Sequence, residues 1–106
     1  MKINIASNEV IHFIGIGGIG MSGLAQIMHN MGFTIQGSDL NKNKNTERLI
    51  KKGITVYWGH NKKNVKQATM IVISSAIKKN NEELIASKKK NYQYLKEEKC
   101  WRTLYR

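Results

Sequence analysis

Five glycines crowd into residues 12–23, HFIGIGGIGMSG, and Gly15, Gly17 and Gly20 among them stand at G-x-G-x-x-G spacing. Glycines so spaced, between a strand and a helix, let a backbone close on a diphosphate. Gly15 permits the tight turn, Gly17 the approach of the phosphates, and Gly20 the packing of the helix on the strand before it. Amide N–H groups at the helix start supply donors and a partial positive charge. An acidic residue about 20 positions on is the expected partner, and GSD supplies Asp39. That carboxylate suits a ribose hydroxyl, or more plainly a cap for the turn before LNKNKN. The single cysteine, Cys100, has no second Cys or nearby His at zinc-ligand spacing and nothing to pair with inside the chain. No metal site is expected.

The elements that must position this loop appear as an alternation. Apolar runs of strand length occur at VIHFIG, FTIQG, ITVYWG and TMIVISS, and between them lie GMSGLAQIMHNMG, NTERLIKKG, a short KKNVKQA and NEELIASKKK, which have helical spacing. In the first helix Leu24, Ile27, Met28 and Met31 recur on one face. Asn45 or Thr46 is placed to cap the second, and Gly32 and Gly53 to close the first two. Strand and helix in alternation predict an α/β fold, a Rossmann-like open parallel sheet of about four strands with flanking helices. Ligands of such sheets sit at the carboxyl ends of the strands.

Length and composition narrow the rest. A chain of 106 residues is enough for one compact unit. No stretch approaches the roughly 20 uncharged apolar residues that cross a bilayer, and MKINIASNEVIHF lacks the apolar run and cleavage site of a secretory signal, so a cytoplasmic protein and no membrane partner are expected. The net charge of +11 raises the question of nucleic acid. The excess is almost all Lys, spread over both parts of the chain and accompanied by Asn, as in NKNKNTERLIKK and HNKKNVKQ. Solvated faces built from A-rich codons account for that pattern, and nucleic acid is not the expected partner.

The segment HFIGIGGIGMSGLAQIMHNMGFTIQGSDL resembles the N-terminal domain of the Mur ligases, and the resemblance continues through LIKKGITVYWGHNKKNV and IVISSAI, over most of residues 10–90. Gly18 and the trailing MSG discriminate further than the dinucleotide spacing does, and they favour the alanine-adding branch of the family. The resemblance implies UDP-N-acetylmuramate as ligand in place of NAD. It places Gly15, Gly17, Gly18, Ile19, Gly20 and Met21 in the phosphate loop, and Ser38, Asp39, His60, Ser74, Ser75 and Ala76 toward the uridine or ribose. Plainer uses remain for several of these: Met21 could be core, His60 a solvated turn residue, Ser74 and Ser75 caps. His12 and His29 read as structural. The reaction implied joins L-alanine to the muramyl carboxylate with ATP and magnesium. These 106 residues hold no G-x-x-x-x-G-K-[ST] loop for ATP. They are therefore expected to bind the nucleotide sugar, to bind no cofactor, to contribute no catalytic residue and not to ligate alone. The glycine loop and Asp39 by themselves also permit a free-standing NAD(P)-binding domain of a reductase or sensor.

After IASKKKN the resemblance stops. The family carries there a short strand with a proline and a helix of the type RAEMLAEL, whereas this chain has NYQYLKEEKCWRTLYR and no proline anywhere. Back-translated with AT-rich codons and read two nucleotides out of register, that tail yields LPIFKRGKMLADLIS. The expectation is a binding domain over residues 1–90 and an aberrant basic tail over 91–106, frameshifted near residue 90 or 91. With it the fifth strand of the sheet is expected to be lost, and a helix using Tyr94, Leu95 and Leu104 to pack in its place.

Overall fold

A computed structural model describes residues 8–90 and 92–104. Residue 91, at the expected frame change, and the last two residues of the tail lie outside the described residues. Strands β1 (Val10–Ile14), β2 (Thr34–Asp39), β3 (Thr55–Trp58), β4 (Met70–Ile73) and β5 (Gln93–Lys96) form one sheet in the order β3-β2-β1-β4-β5, every pair parallel. Helices α1 (Ile19–Asn30), α2 (Lys44–Lys51), α3 (Glu82–Lys89) and α4 (Glu97–Leu104) flank it, with a 3-10 turn at Lys62–Val65. This is the Rossmann-like architecture the alternation predicts.

Side chains alternate across each strand, so the two faces bury different sets. Ile11, Phe13, Ile35, Met70 and Val72 meet Met21, Leu24, Ala25 and Met28 of α1, Leu49 of α2 and Cys100 of α4. On the other face Ile14 and Ile71 meet Val65, Ala68 and Leu84 of α3. Both faces of the central strands are covered, which is why they read as continuous apolar runs. Gly37 is where the chain cannot carry a side chain. A Cβ there would stand 2.6 Å from Ile16 and 2.7 Å from the Phe13 carbonyl oxygen, so the turn after β1 rests directly on β2.

Three expectations are corrected. The buried stripe of α1 is Met21, Leu24, Ala25 and Met28, one turn earlier than predicted, because the helix ends at Asn30 and leaves Met31 half exposed beyond it. The cap of α2 is Asn43, whose side chain accepts from the Thr46 amide while Thr46 Oγ1 accepts from the Asn43 amide. The fifth strand is present. A parallel ladder is made by backbone groups whatever the side chains, and an extended 93–96 needs only Leu95 turned to the core to pair with β4. Leu104 packs on the same cluster from α4, while Tyr94 is partly exposed. Gly32 and Gly53 do close α1 and α2 in the left-handed region, at φ 98° and 87°.

Candidate functional site

Strand order reverses between β1 and β4, so the loops that follow those two strands splay apart at the carboxyl edge of the sheet. The space between them is an open recess of about 320 Å³ lined by Gly15, Gly17, Gly18, Ile19, Gly20 and Met21 from the first loop and Ser74, Ala76 and Ile77 from the second, with Asp39, Asn43 and Glu97 at its walls. Gly15 takes φ +83°, the turn that only glycine adopts readily, and its amide and that of Ile16 both donate to the Ser38 carbonyl at 2.9 Å. The amino end of α1 opens here. Its cap is Gly18, which contributes no side-chain hydrogen bond, and its first turn holds no acidic residue.

Nine of the twelve predicted positions therefore share one recess. Met21 both lines it and packs in the core. Ser75 borders an adjoining recess with Ile73, Ser74, Lys96, Glu97 and Glu98. Ser74 also serves its own turn: its Oγ accepts from the Ala76 amide at 3.3 Å. Asp39 leans over the loop, where Oδ2 accepts from the Gly17 amide at 2.7 Å and Oδ1 from the Leu40 amide at 2.8 Å. Asn43 and Asn45 donate to the Gly17 carbonyl at 3.3 and 3.0 Å, so both the N–H and the C=O of Gly17 are engaged by the protein itself. A Cβ on Gly17 would stand 2.7 Å from Asp39 Oδ2 and 2.8 Å from Thr46 Cγ2.

Ser38 and His60 are brought together, but around a residue the sequence did not single out. Glu83, fully buried, accepts from Ser38 Oγ at 2.6 Å, Asn64 Nδ2 at 2.6 Å and the Asn61 amide at 3.1 Å, and its Oε1 lies 2.7 Å from His12 Nε2. His60 Nδ1 lies 2.8 Å from Ser38 Oγ and 3.8 Å from the carboxylate. Gln36 bridges His12 Nδ1 and the Asn64 carbonyl, at 2.8 Å each. Burial pushes the Glu83 carboxyl up. The hydrogen bond and charge of His12, with the Ser38 and Asn64 hydrogen bonds, outweigh that and bring it below its ordinary value. Ser38 is thus buried under the end of β2 and its hydroxyl is engaged there, whereas the neighbouring Asp39 reaches the recess. His12 is structural, as expected, and belongs to this network. Among the described residues no group of three or more His, Cys, Asp or Glu could hold a metal ion.

A sequence model described as "Mur ligase family, catalytic domain" matches residues 10–104. The chain belongs to the Mur ligase family. The match runs past residue 90, where the sequence reading ends the resemblance, and takes in β5 and α4. Among curated Mur ligases, the UDP-N-acetylmuramate--L-alanine ligase of Pelagibacter ubique is 61% identical over 90 residues, which are 85% of this chain and 19% of that protein. The enzyme of the same name from Bartonella bacilliformis is 55% identical over 87 residues, 82% of this chain and 18% of its own. The solved UDP-N-acetylmuramate-alanine ligase of Thermotoga maritima superposes with a TM-score of 0.87 at 27% identity, over 92% of this chain and 23% of that one. This Mur ligase chain thus spans about a fifth of the length of the curated relatives it matches. Among its described residues no helix is long and apolar enough to cross a membrane.

Proposed function

We propose that this chain is the UDP-N-acetylmuramate-binding part of the ATP-dependent ligase that adds L-alanine to that nucleotide sugar in peptidoglycan synthesis, a cytoplasmic step. The observation that carries the reading is the glycine loop at the reversal of strand order, opening onto the uncapped amino end of α1. The 61% identity to a ligase named for this substrate supports it. In this reading the α1 amides take the diphosphate, Asp39 takes a hydroxyl of the ribose on leaving Gly17, and the loop after β4 borders the nucleoside. Ser38 and His60 act from beneath, by bracing the end of β2. The sequence holds no G-x-x-x-x-G-K-[ST] loop, and in this reading ATP and magnesium are not held by these residues. Binding without ligation is the activity proposed for these residues.

Calorimetry with UDP-N-acetylmuramate, NADH and duplex DNA tests this. The UDP-sugar should bind, and NADH binding with no response to the UDP-sugar would refute the reading in favour of a dinucleotide domain. Gly17 is a poor probe because its own neighbours already exclude a Cβ. Gly18 is a better one: its backbone is extended at φ −64° and ψ 156°, and a Cβ would meet nothing closer than 3.6 Å. Gly18→Leu should stay folded, with a melting temperature lowered only by the poorer N-cap, and lose the UDP-sugar.

A further inference from the structure

The recess already contains an anion belonging to the chain. Glu97, the first residue of α4, lays its carboxylate on Gly20 in the first turn of α1: Oε2 would clash with a Cβ of Gly20, with Oε1 3.3 Å from that position. The approach is held by packing. α4 follows β5 directly, Cys100 is buried against the core, and Trp101 lies 3.5 Å from where a Gly23 Cβ would stand. Trp101 Nε1 donates to Glu97 Oε2 at 3.1 Å. α1 has no acidic residue of its own in its first turn and no side-chain cap, and the Glu97 carboxylate is brought against that turn from α4.

We propose that Glu97 is a specificity-determining residue of this site, an internal anion that competes with a ligand diphosphate for the amino end of α1. This rests on the reading of the recess as a diphosphate site. A bound diphosphate would meet two carboxylates of like charge, Asp39 and Glu97, lining the recess. Like charges a few ångströms apart repel even in an open recess, so Glu97 must swing aside or the phosphates bind more weakly. Uncharged ligands of the same recess do not face that competition.

The test is calorimetric titration of the full chain and of E97Q with UDP and with uridine. The amide keeps the volume of the side chain and an oxygen for the Trp101 indole while removing the charge. UDP should bind E97Q about tenfold more tightly or better at low salt, uridine should bind both alike, and the difference should shrink as salt rises. Equal UDP affinities in the two proteins overturn the proposal and leave the binding reading standing. If folded wild type and folded E97Q bind neither UDP nor UDP-N-acetylmuramate, both fall. Should E97Q fail to fold, E97D, whose carboxylate is one methylene shorter, serves instead: tighter UDP binding supports the competition and unchanged binding overturns it.

Discussion

Glu83 is the residue on which the candidate site's foundations converge. It joins β1 through His12, β2 through Ser38 and the segment after β3 through Asn61 and Asn64, from its own place on α3. A buried carboxylate so fully donated to is costly to disturb. Glu83→Gln keeps the shape but sets an amide N–H against one of those donors, and should lower stability by about 1–3 kcal/mol. The pH dependence has a definite sign. The folded carboxyl lies below its ordinary value of 4.5, so its contribution is complete above that value and is lost as pH falls through the folded pKa. Denaturant titrations should therefore show wild type and Glu83→Gln converging as the solution is acidified below about pH 4.5; parallel curves would deny Glu83 this role. Sequence made the glycine loop and Asp39 readable because their spacing is local. It hid Glu83 and Glu97, since each is an ordinary first-turn acid until the fold brings its partner from another element.

Elements were readable wherever both sheet faces are buried, because there the apolar runs of β1, β2 and β4 stand out against polar separators. β5 is not legible, because backbone pairing and an inward Leu95 make a strand where its loss is expected, whereas a packed helix in the tail is expected and α4, with Leu104 on the core, is one. Cys100 reports directly on that packing. Burial first, then the nearby Glu97 carboxylate, push its thiol up to about 11, against a smaller opposing pull from Lys99. At about pH 8 the native thiol should react with an aromatic disulfide reagent at least tenfold more slowly than in denaturant. A native rate equal to the denatured one would show that α4 is not docked.

Viewed as one body, the protein depends on the last helix more than its sequence suggests. α4 covers the flank of α1 with Cys100, Trp101 and Leu104, and β5 closes the edge of β4. A chain ending at Lys90 should lose its sharp thermal transition and expose apolar surface to a hydrophobic dye; an unchanged melt would assign the stability to residues 10–90 alone. Strand order carries a last consequence, for synthesis. β1 sits at the centre, pairing Val10 with Thr34 on one side and Ile11 with Met70 on the other. As the chain emerges from the ribosome, the half-sheet β3-β2-β1 can assemble once Trp58 is out, while the other edge of β1 waits for residues 70–73. Closing that longer loop is the slower, later event. Until it happens the newborn chain carries a bare central strand, so the pace of translation from Gly59 to Ile73 governs how long that edge is open to aggregation.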